Sequence, residues 1–246
     1  MATVATSVFL NQLRSLYPTR TVTPGSSSAL STPWYIIAAV SFSASNKPEA
    51  VPRVFEHVMQ QFSLDPGSPA SNVEEQRLLA RKLREALFKS GLISGYPKAI
   101  NSLRALHEVM PDELKETEIL RDVNTSLSEY QKKGTVLWDS VYGETADSVQ
   151  ELLNSIYPDM GWFSKTIGYG LTYSPRPDIL SQLETSFTLV AALIAGDTPQ
   201  QIAWHLKGAH RCGATPDEVQ AARNIAVEVA KQSGVQWKNP IPEIEL

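Results

Sequence analysis

Residues 198–215, "TPQQIAWHLKGAHRCGAT", bring two of the four histidines and the only cysteine into eight positions, His205 to Cys212. Imidazole and thiol exchange protons or electrons near neutral pH, so the cluster raises acid–base, metal and thiol chemistry together. Helical geometry divides it. At about 100° per residue, His205, Gly208, Ala209 and Cys212 share one face, whereas His210 lies roughly 140° around from His205. His205 and Cys212 can therefore look into one cavity. Gly208 between them leaves space for a ligand or a close helix, and Trp204 stands beside His205.

The preceding segment, "LETSFTLVAALIAG" (183–196), is apolar almost all round after Phe187 and reads as a buried helix. Glu184 lies on its entering turn. If "GDTP" (196–199) folds the two helices antiparallel, Glu184 and His205 come roughly level, and a carboxylate there would orient the imidazole. A second unusual stretch, "GWFSKTIGYGLTYSPRP" (161–177), sets Trp162, Phe163, Tyr169 and Tyr173 among three glycines. Tyr169 and Tyr173 share a helical face, and aromatics with glycine gaps can wall an organic-ligand pocket and offer hydroxyls to a carbonyl. The blander readings stand beside these: a satisfied core histidine, an inert buried thiol, a cap carboxylate and ordinary aromatic packing. Arg84 and Lys98 are candidate anion holders, or solvated surface cations.

Several motifs are absent. No HExxH, CxxC or His-x3-His spacing occurs, so neither a metal nor a dithiol centre is expected. GxGxxG, P-loop and GxSxG patterns are missing too, which removes dinucleotide, nucleotide and α/β-hydrolase readings. The net charge of -4 speaks against nucleic acid. A single cysteine indicates a reducing compartment. "WYIIAAV" (34–40) falls far short of the roughly 20 residues of a membrane helix.

The elements that must position these residues are helices. Periodicity predicts them at about 7–17, 33–44, 48–62, 73–94, 97–109, 126–141, 145–157, 160–171, 178–195, 199–212 and 216–233, an all-α chain. "TPQQ" (198–201) and "TPDE" (215–218) carry N-cap threonine, first-turn proline and a capping-box acceptor; "NVEE" (72–75) is looser. "SLDPGSPASN" (63–72) is the clearest interior loop. A faint repeat runs through the chain. An apolar helix, a histidine-bearing helix (His57, His205) and a capped helix ending in Ser-Gly follow one another in both halves. This divides the chain into an amino-terminal helix and loop (1–32), a divergent first unit (33–125) and a second unit (126–246). The acid-free first 48 residues loosely suit a mitochondrial transit peptide, but a structured helix and loop in a cytoplasmic protein is the preferred expectation. "EIEL" at the carboxyl end is no strong targeting signal.

"VAALIAGDTPQQIAWHLKGAHRCGATPDEVQAA" (190–222) resembles the carboxymuconolactone decarboxylase family, within the alkylhydroperoxidase D-like superfamily. The apolar helix, the short turn, the single histidine and the following Gly-Ala-Thr carry the resemblance. "KKGTVLWDSVYGETADSVQELL" (132–153) and "FSKTIGYGLTYSPRPDILSQLETS" (163–186) extend it upstream. "LREALFKSGLISGYPKAINSLRAL" (83–106) is similar to the family's closing run. The two-unit layout is like that of fungal-type members. The resemblance implies an alkylhydroperoxidase D-like helical bundle, assembly into a dimer or trimer, no cofactor, and a small-molecule substrate, with His205 at the family's histidine position. The redox branch uses a Cys-x-x-Cys pair, which this chain lacks, so peroxidase activity is not expected.

The expectation is thus a cofactor-free enzyme on a small carbonyl or carboxylic acid compound. His205 is the general acid–base, Glu184 its orienter, and Tyr169 or Tyr173 the carbonyl polariser, with Trp204, Cys212, Trp162 and Gly208 contacting substrate. A non-catalytic oligomeric scaffold is the rival reading and a thiol-dependent redox protein the third. Whether His57 forms a second site is open.

Overall fold

The computed structural model describes residues 4–19, 28–64 and 73–244. Every regular element among them is helical. Two apolar helices lie at the centre, α2 (Trp34–Ala44) and α9 (Gln182–Ala195). All of α2 is buried, and α9 is buried from Thr185 to Ile194. Neither sequence leaves a polar stripe for water, so each must be covered on all sides. They pack on each other, and α4 (Val73–Ser94) and α11 (Pro216–Gln232) each touch both.

The outer helices cover this centre. α3 (Val51–Leu64) lies against α2, as α10 (Pro199–Arg211) lies against α9. α1 (Ser7–Ser15) covers α2 and α3, and α6 (Leu127–Tyr142) covers α10. α5 (Tyr96–Val109) packs on α4 and α3, and α7 (Ala146–Ile156) packs on α6 and on α8 (Pro158–Phe163). The two halves share one core, because the main apolar cluster runs from Ala5 to Val229. Burying large side chains such as Trp34, Phe42 and Phe187 contributes roughly 1.5–3 kcal/mol each. A second, aromatic cluster joins Trp138, Tyr142, Tyr169 and Tyr173 to Val149 and Leu189.

Two expected boundaries move and one expected cap is not made. The helix expected over 160–171 is α8 followed directly by a π-helical segment, Ser164–Tyr173. The helix expected from 178 begins at Gln182, where Ser181 and Glu184 form a reciprocal capping box that the sequence reading missed. Thr198 makes no side-chain cap; its hydroxyl donates to the Leu193 carbonyl at 3.3 Å. Thr215 and Glu218 form the expected box. Residues 20–27 of the expected first loop, nearly all of the 63–72 loop, Asn72 of "NVEE" and the last two residues of "EIEL" lie outside the described residues.

Candidate functional site

The second cluster is built around an unusually close helix crossing. α6 meets the π segment at Gly134 and Gly170. A Cβ on Gly134 would collide with the Lys165 carbonyl and the Gly170 backbone, and one on Gly170 with the Tyr130 carbonyl. These partners are main chain and cannot swing aside, so only glycine allows the approach. Wide helical turns of π type concentrate where a fold re-aims side chains. Here they turn Tyr169 and Tyr173 onto Trp138 and Tyr142, which stand one turn apart on α6. Ring centroids are 4.3 Å apart for Trp138–Tyr142, 4.9 Å for Trp138–Tyr169 and 5.3 Å for Tyr169–Tyr173. The Trp138 indole donates to the Ala146 carbonyl at 3.0 Å, which fixes its ring.

A cavity of about 240 Å³ opens on this cluster. α10 supplies Gln201, Trp204 and His205 to its wall, and α9 supplies Leu193. Leu92 and Ile93 of α4 and Val149 and Leu153 of α7 close it, with Met160 and Phe163 of α8. Its inner wall carries Tyr142, Tyr169, Tyr173 and Ser164, and no lysine, arginine, aspartate or glutamate lines it.

His205 is 6% exposed, with its ring edge-on to Tyr142 at 5.9 Å. Its Nδ1 is buried with no hydrogen-bond partner, and the residue lines the cavity. Burial alone pulls its pKa down to about 4, so the imidazole is neutral at pH 7. Burial raises the pKa values of Tyr142, Tyr169 and Tyr173, which remain protonated hydrogen-bond donors. The Tyr169 hydroxyl is buried without a well-aligned partner, but Tyr142 lies close enough for a hydrogen-bonding interaction between the two phenols that raises the pKa of Tyr169 and lowers that of Tyr142. Neutral His205 and the protonated tyrosine hydroxyls give the cavity wall uncharged hydrogen-bonding groups.

The expected site residues separate into two groups. His205, Trp204, Tyr169 and Tyr173 line the cavity together. Glu184 is elsewhere: one oxygen meets Lys82 Nζ at 2.5 Å and the other accepts from the Ser181 amide at 2.9 Å. It caps α9 and ties it to α4, so it does not orient His205. The reason is register: Leu193, nine residues along α9, is the residue that shares the cavity with His205. Gly208 serves the close-helix role, since a Cβ there would come within 2.7 Å of Val141 Cγ1 on α6. Cys212 caps α10 outside the cavity wall, its sulfur accepting from Gln182 Nε2 at 3.2 Å. Trp162 is 49% exposed and off the wall. His210 faces another surface, where its Nδ1 lies 2.8 Å from the Ala214 carbonyl oxygen. Arg84 is held by the Leu114 carbonyl at 3.0 Å, and Lys98 by the Ala44 carbonyl at 2.8 Å.

Sequence reasoning missed Trp138, Tyr142, Gln201 and Ser164. The pair in "LWDSVY" had a readable signal, two aromatics four apart on one face of α6. It also missed Lys89, buried at 1% exposure. Its Nζ donates to the Tyr173 carbonyl at 2.7 Å and to Thr185 Oγ1 at 3.0 Å, pinning the end of the π segment to α4 and α9. Burial lowers its pKa to about 8 against the opposing pull of Glu85, which in turn accepts both terminal nitrogens of Arg121 at 3.1 and 2.6 Å.

Among the described residues no group of three or more His, Cys, Asp or Glu side chains could hold a metal ion. No helix there is long and apolar enough to cross a membrane. No family model matches the chain, and no solved structure matches it. Peroxisomal protein 2 of Schizosaccharomyces pombe is 32% identical, covering 84% of this chain and 90% of the relative. Peroxisomal protein 2 of Saccharomyces cerevisiae is 28% identical, covering 86% and 92%. With near full-length coverage of both, the chain belongs to the Peroxisomal protein 2 family.

Proposed function

We propose that the chain is a cofactor-free enzyme that moves a proton next to the carbonyl of a small molecule, with His205 as the general acid–base. One observation carries the reading: His205 is held neutral at the wall of a cavity, with its Nδ1 buried without a partner. Nε2 takes a proton from the carbon beside the carbonyl. The electron pair of that C–H bond moves onto the carbonyl oxygen, and the enolate oxygen accepts a hydrogen bond from Tyr169 or Tyr142. Nε2 then returns the proton to carbon. His205 has no anionic neighbour on the cavity wall in its resting state, and the enolate is the counter-ion that the transient imidazolium needs. Isomerisation and lactone chemistry share this intermediate, and decarboxylation reaches it by losing carbon dioxide. The resemblance to the carboxymuconolactone decarboxylase family supports the small-molecule reading through the residues around His205.

The names of the two relatives support a peroxisomal rather than a cytoplasmic or mitochondrial address. A homo-oligomer remains part of the proposal through the resemblance. The test is mass-spectrometric screening of peroxisome-enriched extracts for a compound the purified protein consumes, then comparison with His205→Phe. Consumption lost in the variant is expected. Equal consumption by both proteins would remove His205 from the chemistry, and no consumption at all would favour the scaffold reading.

A further inference from the structure

The cavities of this molecule differ in charge. One cleft of about 330 Å³ is lined by Arg81, Arg84, Arg121, Glu85, Glu116 and Glu118. Another, of about 300 Å³, has Lys133 on its wall. The His205 cavity has no charged side chain on its wall. Two lysines interact with its lining residues without themselves lining it. Lys89 is spent on the Tyr173 carbonyl and Thr185, and Lys165 lies over the Trp138 ring, 5.6 Å from its centroid. An ionised carboxylate entering this space would lose its water without gaining a cation on the wall, which disfavours it relative to an uncharged group.

The buried His205 and Tyr169 lie among apolar Leu193 and Val149, and the exposed Gln201 adds a neutral polar side chain to the wall. The outer rim is made by Leu92, Met160 and Phe163, which line the cavity and are still 44%, 46% and 41% exposed. Half-exposed apolar side chains around the mouth of a cavity suit a ligand whose apolar body continues out of it.

Resting on the reading of this cavity as the substrate site, we infer that its ligand class is an uncharged carbonyl compound with an apolar body. The oxygen faces His205 and Tyr169, and the body leaves between Leu92, Met160 and Phe163. Carboxylates are disfavoured by charge, so among the reactions above the site favours proton-shifting isomerisation or lactone chemistry over decarboxylation.

The test uses a matched pair, nonan-2-one and nonanoate, titrated at pH 7 against the full chain by calorimetry and tryptophan fluorescence; Trp138 and Trp204 line the cavity. The ketone is expected to bind saturably, roughly tenfold or more tighter than the carboxylate. Gly168 lines the cavity, and a Cβ there meets nothing closer than 3.9 Å. Gly168→Leu should therefore fill the space with little backbone cost and abolish ketone binding. Because a larger side chain can still disturb the π segment, the rim variant Met160→Arg provides a second check. At this exposed position the new cation should raise nonanoate affinity relative to the ketone. Nonanoate binding as tightly as the ketone in the unaltered protein, ketone binding unchanged by Gly168→Leu, or no binding of either probe would each overturn the inference. Binding and turnover fail separately: ketone binding with no consumption by any route would keep this ligand class and defeat the proposed reaction.

Discussion

His57 and His205 occupy matching places in the two halves. Each sits on the helix after a buried apolar one, α3 after α2 and α10 after α9. Each is nearly fully buried, and each ring meets an aromatic edge-on at 5.9 Å, Trp34 for His57 and Tyr142 for His205. Burial lowers both pKa values. The difference lies in what covers them. α1 closes over α3, and both nitrogens of His57 are buried without partners. Over α10 lies α6, which crosses the π segment at two glycines; Tyr142 meets the histidine, and Trp138, Tyr169 and Tyr173 line the cavity with it. A desolvated neutral histidine is thus common to both halves. The covering layer decides whether a cavity opens beside it.

The strongest way to break this comparison is to exchange the two imidazoles for phenyl rings, one at a time. Loss of a general acid–base group costs about 10²–10⁴-fold. Once a substrate is identified, His205→Phe should lower kcat/KM by that range and His57→Phe should leave it within about twofold. Equal losses in both variants would mean that the histidines act only through packing.

Next in size is the glycine crossing. Gly134→Ala drives a Cβ into main-chain atoms and should cost about 3 kcal/mol, read as a lower denaturant midpoint. Gly91→Ala in α4 meets only the Ala99 methyl at 3.1 Å. The helix preference of alanine offsets that contact, so its midpoint should move by less than about 1 kcal/mol. Similar effects at the two glycines would deny the crossing its special role.

The pH dependence of stability comes third. A folded pKa of about 4 for His205 lies below the ordinary 6.5, so below pH 6.5 the unfolded chain binds a proton that the folded chain refuses. Stability is therefore lost as pH falls from about 6.5 to 4, with a slope approaching 1.4 kcal/mol per pH unit from this residue. His57, lowered in the same direction, adds to it. His205→Gln should flatten that limb more than His57→Gln does, in urea titrations across the range.

The smallest effect is at Tyr169, whose buried hydroxyl has no aligned partner. Tyr169→Phe should raise stability slightly, by up to about 1 kcal/mol, while lowering turnover. A clear loss of stability would mean that the hydroxyl is already satisfied without a ligand.

Much of this was legible in advance, for identifiable reasons. The apolar faces of α2 and α9 and the Thr215–Glu218 box are local patterns, and local patterns read well. The split of His205 from His210 followed from helical angle alone. Glu184 did not follow, because "level across a turn" fixes neither the crossing nor the register of two helices, and a capping box with Lys82 claimed both oxygens. The π segment is invisible to a 3.6-residue period. Tyr142 joined the site only through the Gly134–Gly170 crossing, a contact 36 residues apart in sequence.

The most direct measurement is a histidine-selective ¹⁵N NMR titration of the intact chain, with and without nonan-2-one. His205 should remain neutral down to pH values near 4 and its resonances should move on adding the ketone, while those of His57 stay in place. A His205 that titrates near 6.5, or one that ignores the ketone, would contradict the account of a neutral imidazole facing a ligand cavity.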